Sequence, residues 1–128
     1  MQLRLLLVIA ALGLAISLAR GDGVGSASSR RALEAEARGV AVELLRTINE
    51  RRYEHSCDLL AEGRTDHELC VVGLRVGFMW SQEIRFRVTG VRLEGDRAVV
   101  DALADGAPGR VVLARLGGRY RVLRLEGR

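Results

Sequence analysis

Two cysteines, Cys57 and Cys70, stand thirteen residues apart, and each has a histidine nearby in the chain, His55 and His67. Three chemistries fit these residue types. A zinc ion takes close Cys/His clusters, so a Cys-His-His-Cys site is conceivable. A redox-active pair would normally be Cys-x-x-Cys, and that spacing is absent. An even cysteine count in an exported chain normally means a disulfide. Closing a loop of this length stabilises by roughly 3 kcal/mol in the chain-entropy model. The disulfide is the expected state. Asp101 is the other group of interest, because it stands mid-strand among apolar residues, where a buried carboxylate could act as a general base. The competing arrangement puts it on an exposed face, paired with an Arg of a neighbouring strand. The sequence has no nucleophile elbow, phosphate loop, metal-ligand set or dinucleotide fingerprint. Enzyme activity is therefore disfavoured, and no cofactor or metal is called for.

The elements that must position these groups begin with a targeting segment. Met1 to Arg4 is a positive start, Leu5 to Ala19 carries no charge, and Ser17-Leu18-Ala19 suits a signal peptidase. The apolar run is short of the roughly 20 residues a bilayer span needs. Arg20, Arg30 and Arg31 nevertheless put positive charge on the exported side, against the usual bias. Residues 1–19 thus read as a signal peptide or a signal anchor, with a later cut after Ala27 as an alternative. Residues 20–29, rich in Gly and Ser, read as a flexible linker. Residues 30–126 form the folded domain.

Ser28 or Ser29 can cap a helix beginning at Arg30. Leu33, Ala37, Val40, Leu44 and Ile48 recur at helical spacing and form its apolar stripe. Gly39 within it would let another element approach closely. The run from Asn49 to Tyr53 ends or bends this helix. A second short helix runs from Glu54 to Ala61. Thr65 with Glu68 makes a capping-box pattern for a third, through Val76, although Cys70 to Leu74 is apolar enough to be a strand.

From Ile84 the periodicity changes to two. Ile84, Phe86 and Val88 alternate with Arg85, Arg87 and Thr89. At Gly90 the phase shifts to Val91 and Leu93, the pattern of a bulge or sharp bend. Glu94-Gly95-Asp96 is a tight turn. Ala98, Val100, Ala102 and Ala104 share one face of the next strand, with Val99, Asp101 and Leu103 on the other. Asp105 to Gly109 reads as the longest turn, Arg110 to Leu116 as a third strand, Gly117-Gly118 as a two-residue hairpin, and Arg119 to Leu125 as a fourth strand. Hairpins with no intervening helix mean an antiparallel sheet, so the class is α+β.

The 128 residues hold one domain, 48 % hydrophobic but only 4 % aromatic, so Leu, Val, Ile and Ala must build the core. The net charge of +4 comes from 20 basic residues, all Arg, against 16 acidic ones, too weak and interspersed to argue for nucleic acid. Arg is concentrated in the sheet half, where Arg85, Arg87, Arg119 and Arg121 mark a basic face. That face is either simply solvated or docks an acidic partner or anionic envelope lipids.

The order of elements resembles the nuclear transport factor two-like, or SnoaL-like, superfamily, and within it the small exported members of actinobacteria. The residues that carry the resemblance are the helix Ala32 to Ile48, Cys57-Asp58-Leu59-Leu60 followed by Cys70, Gly95-Asp96-Arg97-Ala98-Val99-Val100, and Gly117-Gly118-Arg119-Tyr120-Arg121-Val122. Tyr120 stands where that family often has Trp. The resemblance implies a cone, or cystatin-like roll, in which a curved four-stranded meander wraps a long N-terminal helix and leaves a pocket at its open end. It also implies that Tyr53, His55, Trp80 and Asp101 are the pocket candidates. The expected function is an exported, non-catalytic domain that binds a small apolar ligand or a cell-envelope partner protein. One alternative is a membrane-anchored accessory subunit of an envelope complex. Another is an isomerase- or cyclase-like enzyme using Asp101 with Tyr53 or His55. A homodimer is compatible with each.

Overall fold

The computed structural model describes residues 24–127. The expected export segment, residues 1–19, and residues 20–23 lie outside the described residues. The element order is α1 (Val24–Asn49), α2 (Tyr53–Leu59), a 3₁₀ turn (Glu62–Arg64), α3 (His67–Gly77), β1 (Phe86–Glu94), β2 (Arg97–Ala104), β3 (Ala107–Leu116) and β4 (Arg119–Gly127). The strands form one antiparallel sheet in the order β1-β2-β3-β4. The class is α+β. Among the described residues, no helix is long and apolar enough to cross a membrane.

α1 begins at Val24, ahead of the expected Arg30, so residues 24–29 of the expected linker are helical and neither Ser28 nor Ser29 is its cap. Contacts gather in a unit that begins at Glu34. In that unit the buried face of α1 is Ala37, Ala41, Leu44, Leu45 and Ile48. Ala41 and Leu45 take the place expected for Val40, a small rotation of the stripe. Gly39 is exposed, and a methyl group there would meet nothing within 4 Å, so no element approaches it. α1 ends on Arg51, whose φ is +60°. Its amide donates to the Ile48 carbonyl at 3.0 Å, and the Arg52 amide donates to the Thr47 carbonyl at 2.8 Å. That pair of bonds is a Schellman stop, built here on Arg where Gly is usual.

α1 is tied to the sheet at two places. Glu36 accepts from Arg115 of β3 at 2.7 Å. Asn49 exchanges two hydrogen bonds with the backbone of Ile84, each 2.8 Å long. The sheet face towards α1 carries Ala98, Val100, Ala102, Val111, Leu113, Tyr120 and Val122, all buried. Arg115 on that face also lies 5.2 Å from the Tyr120 ring centroid, a cation–π contact. The register slips between Val88 and Gly90, where the phase change at Gly90 placed a bulge.

The β2–β3 connection is shorter than its composition suggests. Ala104 pairs with Ala107, which leaves only Asp105 and Gly106 as the turn, with φ of +51° and +83°. This is an Asp-Gly hairpin turn with both central residues left-handed. Ala107, Pro108 and Gly109 already belong to β3. Pro108 pairs only with Leu103 of β2, because β4 joins from Gly109 onward, so its missing N–H breaks no ladder. Gly117 and Gly118, at +63° and +80°, make the second such turn as expected.

Candidate functional site

The disulfide joins Cys57 of α2 to Cys70 of α3. Both residues are buried in a small satellite core with Tyr53 and Val71, flanked by Leu60, Leu74 and Phe78. The zinc alternative therefore has no thiolates to use. His67 instead bonds Asp58 at 3.1 Å and the Glu54 carbonyl at 3.2 Å. The described residues contain no group of three or more His, Cys, Asp or Glu placed to hold a metal. α3 starts at His67, and its cap is Asp66, which accepts from the Leu69 amide at 3.0 Å. Asp66, not Thr65, is the capping side chain.

Tyr53 and His55 come together as neighbours in one open cleft of about 620 Å³, lined also by Arg51, Arg52, Glu54 and Arg75. Tyr53 is buried, and its hydroxyl has no hydrogen-bond partner. It also lines a pocket of about 40 Å³ with Ile48, Asn49, Phe78 and Ser81, too small for an organic ligand. His55 is exposed, with Nδ1 3.4 Å from the Arg52 guanidinium. Three guanidinium groups against one carboxylate make this cleft basic.

Asp101 lies elsewhere. By strand alternation it is on the face away from α1, where Arg92 holds it at 3.4 Å. It lines a separate depression with Thr89, Leu103, Pro108, Arg110 and Glu126, and shares no wall residue with the Tyr53 cleft. Trp80 is 89 % exposed in the segment after α3 and lines neither cleft. The four pocket candidates are thus not one constellation: Tyr53 and His55 share a cleft, Asp101 faces outward, and Trp80 stands in solvent.

The basic face is on the outer side of the sheet, where register aligns Arg92, Val99, Val112 and Arg124 in one row and Arg97, Ala114 and Arg121 in another. Val99, Val112 and Ala114 are buried there although α1 is on the other side. Arg87 and Arg119 share this face by alternation, and Arg85 precedes β1, its amide donating to Asp105 at 3.0 Å. Arg121 reaches across to the Asp58 carbonyl, close to the contact of Leu60 with Val122 that covers the β4 edge. Glu126 accepts from Arg124 at 2.7 Å. That bond, then the charges of Arg124 and Arg110, hold its carboxyl below the usual range.

Sequence reasoning missed a face of α3. Leu69, Val72 and Val76 are 63 %, 52 % and 61 % exposed, and Met79 and Trp80 follow directly. The opposite face of the same helix buries Cys70 and Val71. The spacing of Leu69, Val72 and Val76 is helical and was visible. α3 simply has more apolar residues than one buried face can use.

No family model matches the chain, and no curated protein matches it. Solved structures do. A protein of unknown function with a cystatin-like fold from Nostoc punctiforme aligns at a TM-score of 0.55 with 11 % identity, over 73 % of this chain and 87 % of that one. A designed protein named for nuclear transport factor two aligns at 0.50 with 16 % identity, over 72 % of this chain and 96 % of its own. What the chain shares with both is the cystatin-like, nuclear transport factor two-like fold.

Proposed function

We propose that the chain is an exported, non-catalytic domain of the SnoaL-like type that docks a partner protein through α3 and the segment after it. The observation that carries this reading is the exposed run Leu69, Val72, Val76, Met79 and Trp80. Exposed apolar patches of this kind mark interaction surfaces, and Trp is the residue type most enriched among binding hot spots. The disulfide supports an oxidising compartment and hence export. The separation of Asp101 from Tyr53 and His55 argues against the acid–base alternative. The basic, open character of the Tyr53 cleft argues for a protein partner over a small apolar ligand.

The test is site-specific photo-crosslinking from position 76 in cells that express the full chain, with position 39 as the control. A discrete adduct from position 76 alone is expected. Equal, diffuse labelling from both positions would overturn the docking reading.

A further inference from the structure

We infer that the partner on α3 is a second copy of this chain, paired antiparallel about a two-fold axis near Val72; this rests on the docking reading above. At about 100° per residue, Leu69, Val72 and Val76 fall within a ~60° arc of α3. That stripe is opposite the disulfide-bearing face. One edge of it carries Gly73 and Gly77, where added methyl groups would meet nothing within 4 Å. A second helix backbone can therefore come close on that edge. The other edge carries Glu68 and Arg75, which are seven residues apart, of opposite sign and both exposed.

A two-fold axis perpendicular to the plane of two antiparallel helices brings like edges together in reversed order. Glu68 of each copy then faces Arg75 of the other, making two attractive pairs around an apolar seam. Parallel pairing about an axis along the helices would set the Glu68/Arg75 edge of each copy against the glycine edge of the other and leave both charges without a partner. The charge pattern thus selects one geometry, and it is self-complementary. It does not suit an anionic bilayer: from Glu62 to Gly77 three carboxylates (Glu62, Asp66, Glu68) outnumber two arginines (Arg64, Arg75). An eleven-residue helix spans about 16 Å. A contact of that length lies at the small end of specific interfaces, so the dimer is weak and reversible, with a dissociation constant on the order of micromolar.

Trp80 is the only tryptophan in the chain, so its emission reports on this patch alone. Sedimentation and Trp80 emission of the full chain should both follow one concentration-dependent monomer–dimer transition, with emission moving to shorter wavelength in the dimer. Glu68→Arg or Arg75→Glu alone should raise the dissociation constant about tenfold by turning two attractive pairs repulsive, and the double swap should restore it. Val72→Asp should abolish pairing while circular dichroism stays unchanged. A chain that remains monomeric throughout, or a dimer indifferent to the swaps, overturns the proposal. So does a blue shift of Trp80 that appears only with phosphatidylglycerol vesicles. A heterologous adduct from position 76 combined with a monomeric chain would sink self-pairing and leave the docking reading standing.

Discussion

At the scale of single residues, two glycines that look alike in the sequence have opposite consequences. Gly39 lies within α1 with open space around it, so Gly39→Ala adds helix propensity without a clash and should stabilise by about 0.5–1 kcal/mol. Gly63 lies in the 3₁₀ turn directly against the backbone of Cys57, where a methyl group would overlap the Cys57 carbonyl. Gly63→Ala must push the turn away from α2 and should cost about 1–3 kcal/mol, as overpacking does. Denaturant melts of the two variants should move in opposite directions, and a shared sign would contradict the local geometry. Glu126 supplies the pH-dependent counterpart. Its folded pKa is lowered, first by the Arg124 hydrogen bond, so its contribution is fully present above the ordinary carboxylate value of about 4.3 and fades as pH falls through the lowered one. The Glu126 carboxyl, followed by NMR, should titrate below that value. Arg124→Gln should return it to the ordinary range; a midpoint unmoved by that substitution would assign the shift to another cause.

At the scale of elements, what was legible was periodic. The alternation from Phe86 to Leu93, the phase change at Gly90 and the Gly117-Gly118 turn each encode a register, and the sheet follows them. The ends of elements were harder to read because they are decided by backbone bonds that composition does not show. Arg51 stops α1 where a glycine would be the usual sign, and Asp105-Gly106 turns in two residues although Pro108 and Gly109 extend the apparent loop. The candidate residues were legible one by one, not as a constellation. Alternation set Asp101 on the face opposite Ala102, and the exposed arrangement with an Arg of the neighbouring strand is the one found, with Arg92. Which residues share a cleft is decided by how the helices pack, and alternation carries no sign of that. Between α1 and α2 the buried hydroxyls of Thr47 and Ser56 lie 2.8 Å apart, and each also contacts a backbone carbonyl of its own helix region. This pair fixes the angle at which α2 leaves α1. Thr47→Val and Ser56→Ala should each cost about 1 kcal/mol, with the double variant no worse than roughly one single, because both remove the same shared bond. Strict additivity in a double-mutant cycle would mean that the two hydroxyls act independently.

At the scale of the whole molecule, two cores of different size share one chain. The larger is built from α1 and the helix-facing side of the sheet, through Leu44, Val100, Leu113 and Val122. The smaller holds Tyr53, Cys57, Cys70 and Val71, and it is closed by the disulfide across thirteen residues. So few buried side chains cannot hold two short helices by area alone, since α2 has seven residues and isolated helices of that length are marginal. The disulfide supplies the difference by restricting the unfolded chain, worth roughly 3 kcal/mol for a loop of this size. A domain of this length shifts its melting temperature by about 4–8 °C per kcal/mol. Reduction should therefore lower the midpoint by roughly 12–24 °C. The loss should not be uniform. Hydrogen exchange after reduction should accelerate first in α3, where only Cys70 and Val71 are buried, while the β2 and β3 amides keep their protection. If all amides accelerate together, the small core is not a separate unit. If the midpoint moves by only a degree or two, packing against β4, and not the disulfide, holds α2 and α3 in place.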